Sequence, residues 1–486
     1  MIRLDALLKK IEILECNADL STEILDVCTD SRRAVSGVLF IAIKGGGHDG
    51  NDYINDAIEA GAVVVVTDDE SVARGTAAAC ILVRDAREAY AFIASNFFGN
   101  PTDEMRFIGV SGTNGKTTVA HMIHHILSAN GIKTGLIGTI GNIIDGVREE
   151  TDMTTPDPYE FFAILRRMRD AKTDVAVSEI SAHAIYLKKI NPVIADIAVF
   201  TNCSQDHLDF FETMEKYSEV KRSYFTRRHA KTVVINADDR TGIEIINATD
   251  ANVISYGIKN PSDVFAVNIR ADISGTSFFA NIFDDIAEVK LPMAGIFNVY
   301  NCLAAMTAAR LLNLSLHDTA EAAGTIPEIP GRFNVIMTPK CGFILDYAHS
   351  PDGLKKILSA AKKITKGRLI SVFGCGGNRD RIKRPIMGRI SADYADITIL
   401  TSDNPRFEEA GDIIGDIEKG IRGIASEHLS IIDRKEAIER AYALAEKDDL
   451  VVVAGKGSED YMDIKGVKYP YGDRAVIEGL CKSTEI

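Results

Sequence analysis

Apolar runs of strand length alternate with stretches of helical periodicity through most of this chain, which predicts layered α/β structure built on largely parallel sheets. The alternation is sharpest towards the end, where runs at 343–347, 369–373, 397–401 and 450–454 are separated by helical stretches such as 434–446. Ligands of open parallel sheets sit beyond the carboxyl ends of strands, so residues 348–350, 374–380, 403–406 and 455–460 are the ones to inspect. Earlier, the apolar run at 107–110 enters Ser111-Gly112-Thr113-Asn114-Gly115-Lys116-Thr117-Thr118 and then a helix. Val119, Met122, Ile123, Ile126 and Leu127 share one face of that helix, and Asn130-Gly131 ends it. A buried-strand pattern at 175–179 ends in Glu179, another at 197–202 leads into Asp206-His207, and Lys221 falls on a helical stretch at 217–225.

Two clusters punctuate the pattern, Gly99-Asn100-Pro101-Thr102-Asp103 and Ile326-Pro327-Glu328-Ile329-Pro330-Gly331. They divide the chain into domains at 1–100, 101–330 and 331–486, and 486 residues at about 150 per domain also suggest three. The expected fold is a small N-terminal α/β domain, a central P-loop ATPase-like parallel sheet and a C-terminal Rossmann-like doubly wound sheet. Hydrophobic residues at 46% and charged residues at 26% describe an ordinary globular composition. A net charge of −14 speaks against a sequence-independent grip on nucleic acid or an anionic membrane. No run of 18 apolar residues occurs, and Met1-Ile2-Arg3-Leu4-Asp5 reads as the start of an amphipathic helix, not an export signal. The eight cysteines lack any CxxC pair, which fits reduced thiols in a cytoplasmic protein with no membrane insertion.

The glycine loop carries the strongest chemistry. A phosphate at the helix N-terminus meets unpaired N–H groups and the positive end of the dipole, while glycines let the backbone approach closely. Lys116 adds a mobile charge for the β- and γ-phosphates and Thr117 a hydroxyl for Mg²⁺. The strict Walker pattern would place a glycine five residues before Gly115, where this chain has Val110. Glu179, His207 and Lys221 each have a simpler reading, as a cap, a turn histidine and a solvated helix lysine. Their combination after a phosphate loop is what suggests a second metal ligand set.

These residues resemble the Mur ligase family, ATP-dependent amide-bond-forming enzymes of peptidoglycan assembly, over essentially the whole chain. The pieces are Asp30-Ser31-Arg32 with Gly45 to Gly50; the Gly112 to Thr118 loop, Thr154-Thr155-Pro156-Asp157, Glu179-Ile180-Ser181-Ala182-His183 and Asp206-His207-Leu208-Asp209; and Gly331-Arg332, Asp346-Tyr347-Ala348-His349, Gly374 to Asp380, Asp403-Asn404-Pro405-Arg406 and Gly455-Lys456-Gly457 with Glu459. The resemblance implies that Lys116, Glu179, His207 and Lys221 are catalytic, with Thr117, Glu179, His207 and a carbamylated Lys221, formed with CO₂, around Mg²⁺. It implies an ATP site of Gly112, Thr113, Asn114, Gly115, Lys116, Thr117 and Thr118 completed by Arg332, Asp346 and His349. Ser31, Thr154, Thr155, Ser181 and Lys189 match positions that hold the UDP-linked substrate. Arg379, Asp403, Asn404, Pro405, Arg406, Gly455 and Glu459 match the pattern of members that add meso-diaminopimelate to UDP-N-acetylmuramoyl-L-alanyl-D-glutamate, acting as monomers. An Arg guanidinium can grip the far carboxylate of diaminopimelate bidentately, whereas it has nothing to offer lysine's ammonium.

The chain departs from the family pattern at Asn378, Ser458, Ala182 and Lys189, the last exchanging a planar fork for a point charge. Three rivals fare worse. A dinucleotide oxidoreductase needs a third glycine where Arg379 stands. A P-loop switch leaves Glu179, His207, Lys221 and Arg406 without a shared purpose. A sister ligase for lysine or folate is opposed by Arg406 and by the first domain.

Overall fold

Continuous β-branched runs suit strands covered on both faces, and Ala62–Thr67 and Leu450–Ala454 are both inner strands of largely parallel sheets. The structure, a computed structural model, describes all residues except 77, 425, 426 and 484–486. Its first sheet has five strands in the order Ile13–Cys16, Cys80–Val83, Ala62–Thr67, Val38–Ile41, Asp26–Cys28, antiparallel only at the first pairing. The central sheet has eleven strands, and its parallel middle runs from Thr134–Ile137 to Val264–Asp272. Antiparallel ribbons extend it at both edges, a feature the strand periodicity alone did not predict. The third sheet has six strands in the order Asn334–Met337, Gly342–Asp346, Leu450–Ala454, Leu369–Phe373, Ile397–Leu400, Glu427–Ser430, with one antiparallel pairing at its edge.

The N-terminus differs from the expected amphipathic helix. Ile2–Arg3 pairs with Glu23–Ile24 and only Leu4–Leu7 is helical, because Leu4 and Leu7 are both drawn into the core while the Leu4 amide bonds Thr22. That core is shared. Leu4, Ile41, Val66 and Ile93 of the first segment belong to one apolar cluster with Phe161, Leu165 and Phe200 of the second. Tyr159 crosses the same junction and donates to Asp26 Oδ1 at 2.8 Å. On the other face of the central sheet, helix Lys116–Ala129 packs on Ile296–Leu311, which is buried along nearly its whole length.

Three central strands set the position of the loops that matter. Arg106–Ser111 lies between Val175–Ile180 and Ala195–Phe200, all parallel, with Ser111 in register with Ile180 and Phe200. The chain therefore leaves all three strands at one edge, so that residues 112–115, 181–183 and 201–207 meet there. All eight cysteines are unpaired, and no helix among the described residues is long and apolar enough to cross a membrane.

Gly109 shows how closely the middle strand is covered, since a Cβ there would lie 2.0 Å from the hydroxyl of the buried Tyr224. Gly109→Ala is expected to cost about 1–3 kcal/mol through overpacking. Tyr224→Phe should recover part of that loss, as a double-mutant cycle on thermal unfolding would reveal; equal midpoints for wild type and Gly109→Ala would refute the account.

Candidate active site

The phosphate loop is shorter than the strict pattern because Val110 is still strand, fully buried between its register partners Glu179 and Val199. The loop opens at Gly112, whose φ is +147° and whose Cβ would lie 1.9 Å from Thr201 Oγ1. Gly115, at φ +91°, would place a Cβ 2.6 Å from Asn301 Oδ1. Close approach, and not flexibility, requires both glycines. Lys116 opens the helix and folds back, its Nζ donating to the carbonyls of Gly112 at 3.0 Å and Thr113 at 2.9 Å. Burial lowers its pKa while the charges of Glu179 and Asp206 pull it up. Thr118 is buried beside Thr117 on the first turn.

Glu179 is a carboxylate with no exposure to water. Thr117 Oγ1 donates to its Oε2 at 2.8 Å, Thr139 Oγ1 to the same oxygen at 3.0 Å, and the Thr139 amide to Oε1 at 2.7 Å. Since the Thr139 proton is committed to Glu179, its 3.1 Å contact with Thr154 Oγ1 has Thr154 as donor. Thr155 donates to the Glu179 carbonyl at 2.8 Å and accepts from the Ser181 amide at 3.1 Å, while Ser181 Oγ caps the following helix by accepting from Ala184. Lys189 lies over the same loop, ion-paired to Asp157 at 2.7 Å. Thr154, Thr155, Ser181 and Lys189 thus form one cluster. Ser31 sits in the turn Ser31–Arg33, capped by Asp30, and no hydrogen bond among the described residues joins it to the others.

His207 adopts φ +54° and donates its amide to Asp206 Oδ1 at 3.0 Å. Asp206 Oδ2 lies 3.6 Å from His207 Nε2 and 3.8 Å from His349 Nε2. Burial pushes Asp206 up, but His349, His207 and Lys383 outweigh it and hold the group well below the usual carboxylate range. Burial pushes His207 down to about 4, so its imidazole is neutral at neutral pH. Lys221 is 1% exposed; its Nζ sits 4.6 Å from the centre of the Tyr217 ring and makes no ion pair among the described residues. Burial, then the positive charge of Lys116, brings its pKa down to about 7.

The third segment closes the site. Arg332 stacks 4.6 Å over Tyr347, and its Nη2 donates to Thr117 Oγ1 at 3.1 Å. Asp346 is held by the amides of Phe333 and Ala348, and burial raises its pKa. His349 Nδ1 donates to the Tyr347 carbonyl at 2.9 Å, which turns Nε2 towards Asp206. Asp352 accepts from Asn114 Nδ2 at 2.9 Å and from Ser204 Oγ at 3.1 Å. Sequence reasoning missed Thr139, Asp352 and Asn301. Asn298 and Asn301 did carry a signal, as two asparagines one turn apart on a largely apolar helix.

Beyond the third sheet, Asn404 Nδ2 donates to Glu459 Oε2 at 2.8 Å, and its Oδ1 accepts from Lys456 Nζ at 3.0 Å and the Asp463 amide at 2.9 Å. Gly455 has φ +115° and would place a Cβ 2.5 Å from Asp403 Oδ2. The Pro405 carbonyl lies against Gly377, where a Cβ would meet it at 1.9 Å. Arg406 Nη1 donates to the Gly377 carbonyl at 2.7 Å, and its nearest carboxylate among the described residues is Asp463, 3.7 Å from Nε. Arg379 is half exposed and faces Asp209 at 3.6 Å. Asn378 takes φ +52°, which asparagine tolerates better than most residues, and its Oδ1 accepts from the Phe407 amide at 3.0 Å.

On the phosphate helix, His121 Nε2 is buried without a hydrogen-bond partner among the described residues, and burial pushes the ring down to about 3 from the ordinary 6.5. The folded chain resists protonating His121 and the unfolded chain does not, so its contribution to stability is complete above pH 6.5 and is lost as pH falls towards 3. His121→Gln should therefore flatten the decline of the unfolding midpoint below pH 6.5; parallel pH curves for the two proteins would contradict the assignment.

Three family models match in order along the chain: the Mur ligase family catalytic domain at 23–98, the Mur ligase middle domain at 110–309, and the Mur ligase glutamate ligase domain at 331–457. A UDP-N-acetylmuramoyl-L-alanyl-D-glutamate–2,6-diaminopimelate ligase of Caldanaerobacter subterraneus subsp. tengcongensis is 41% identical over 485 residues, covering 100% of both chains. One of the same name from Clostridium botulinum is 40% identical over 95% of each. A solved structure of a ligase with that name superposes with a TM-score of 0.72 at 29% identity, over 100% of this chain and 99% of its own. The chain belongs to the Mur ligase family.

Proposed function

We propose that this chain joins meso-diaminopimelate to UDP-N-acetylmuramoyl-L-alanyl-D-glutamate at the expense of ATP, as a monomer in the cytoplasm, in the assembly of peptidoglycan precursors. The observation that carries the reading is Arg406. Among the described residues its guanidinium meets a carboxylate only at Nε, 3.7 Å from Asp463, while Nη1 donates to the Gly377 carbonyl, a geometry that leaves the rest of the fork for a substrate's own carboxylate. The relatives named above are ligases for the same amino acid.

A carboxylate is a poor acyl donor, so its oxygen attacks the γ-phosphorus of ATP, giving an acyl phosphate and ADP. The amine of the incoming amino acid then attacks the acyl carbon, and the tetrahedral intermediate expels phosphate as the amide forms. Lys116 and the loop amides draw the β- and γ-phosphates into the helix N-terminus, and Arg332 reaches the same oxygens from the other side. Thr154, Thr155, Ser181 and Lys189 would hold the UDP-linked substrate, with Ser31 and its turn gripping the uridine end. His349 and Asp346 keep the third segment's edge in line for ATP, and positioning carries much of the rate.

The donor set fits a divalent cation. Glu179 offers a carboxylate, His207 a neutral imidazole and Thr117 a hydroxyl. Lys221, buried and without a carboxylate partner among the described residues, is suited to add CO₂ through its neutral amine, releasing a proton and becoming an anionic carbamate. These four residues would hold Mg²⁺, which supplies positive charge against the transferring phosphoryl group when bound.

Phosphate release from ATP with the UDP-linked dipeptide should be sustained by meso-diaminopimelate and not by L-lysine or by no amino acid. Arg406→Lys should lower kcat/KM for diaminopimelate about a hundredfold or more, because a point charge cannot replace the fork. Equal use of lysine would overturn the specificity, and turnover indifferent to both amino acids would leave an ATPase switch. Wild type given ¹³C-bicarbonate should show a carbamate carbon signal that Lys221→Ala lacks; a signal surviving in the variant would remove Lys221 from the site.

A further inference from the structure

The two loops read above as the amino-acid site follow strands that are not neighbours. Residues 403–406 follow Ile397–Leu400 and residues 455–459 follow Leu450–Ala454, while Leu369–Phe373 lies between these strands and pairs with both. No sheet hydrogen bond can therefore fix the distance between the loops. Arg434, the first residue of helix Arg434–Leu444, spans that gap. Its Nη2 donates to the Ala454 carbonyl at 2.9 Å and its Nη1 to the Ser402 carbonyl at 3.3 Å. Those carbonyls stand immediately before Gly455 and Asp403.

The guanidinium is itself held. Asp473, at the start of helix Asp473–Ser483, accepts from Nε and from Nη2, each at 2.8 Å, and both side chains of the pair are entirely buried. The Tyr471 hydroxyl donates to Asp473 Oδ1 at 3.1 Å. A planar fork bound on one side by a carboxylate and on the other by two carbonyls is a rigid spacer. A buried ion pair contributes little net stability compared with apolar residues of the same volume, so its use here points to specificity.

We propose that Arg434, oriented by Asp473 and Tyr471, is a positioning residue for amino-acid recognition. It sets the gap across which Asp403, Asn404 and Arg406 face Gly455, Lys456 and Glu459. The contacts across that gap have no slack: Gly455 has no room for a Cβ beside Asp403, and Asn404 is bonded to both Lys456 and Glu459. A shift of about 1 Å between the loops is enough to change binding and rate by orders of magnitude. This inference rests on the proposed reading of the two loops as the diaminopimelate site.

Steady-state kinetics of the full chain, varying each substrate in turn, would test it with Arg434→Lys and Tyr471→Phe. The KM for diaminopimelate should rise about tenfold or more in Arg434→Lys and about twofold in Tyr471→Phe, with those for ATP and the UDP-linked dipeptide nearly unchanged. Hydrogen exchange should quicken in peptides covering 403–408 and 455–460 and stay constant in those covering 106–118. A lowered unfolding midpoint with an unchanged KM for diaminopimelate, or a parallel rise in all three KM values, would reduce the pair to a structural element. If Arg434→Lys does not fold, Tyr471→Phe decides by the same readouts. Wild type lacking diaminopimelate-dependent turnover would refute the proposed activity, and the exchange pattern would still judge the role of Arg434.

Discussion

The buried carboxylate of Glu179 is the constraint around which the site is arranged. An ionised group out of reach of water must be met by donors or it neutralises. Here the donors come from two different places in sequence, Thr117 on the phosphate helix and the side chain and amide of Thr139 after the next strand, and Arg332 from the third segment in turn donates to Thr117. Meeting the charge of one residue thereby fixes the start of the phosphate helix. Through Thr139 it also fixes Thr154, and through its own carbonyl Thr155 and then Ser181.

Around this centre, burial sets protonation in a consistent direction. His207 and Lys221 are both pushed towards their neutral forms, which are the forms that can donate an electron pair to a metal or to CO₂. Asp206 is treated oppositely, held well below the usual carboxylate range despite its burial, chiefly by His349. The same low-dielectric setting thus yields a neutral imidazole, an amine that is in part neutral at neutral pH, and one negative charge.

The legible parts were those with local signals. The glycine loop, its amphipathic helix and the apolar strands of the third segment follow from periodicity and turn chemistry, and all are present close to the predicted positions. Roles for Glu179, His207, Lys221 and Arg406 needed the family resemblance, because each alone looks like an ordinary cap, turn or surface residue. Thr139, Asp352 and Arg434 were invisible since their partners lie tens to hundreds of residues away, and nothing in their neighbours marks them. The antiparallel ribbons at the edges of the central sheet were missed for a related reason. Strand periodicity reports which face is buried, not the direction of the neighbouring strand.

The two junctions between segments are made of different material. The first and second share a continuous apolar core, whereas the third meets the second largely through polar contacts at the phosphate loop, with Ile273, Ala294 and Phe297 as apolar exceptions. Hydrogen bonds can be exchanged for water at small net cost, but buried apolar area cannot. The molecule consequently has one stiff joint and one seam that can part. Were that seam to open, the first two segments would move as one body.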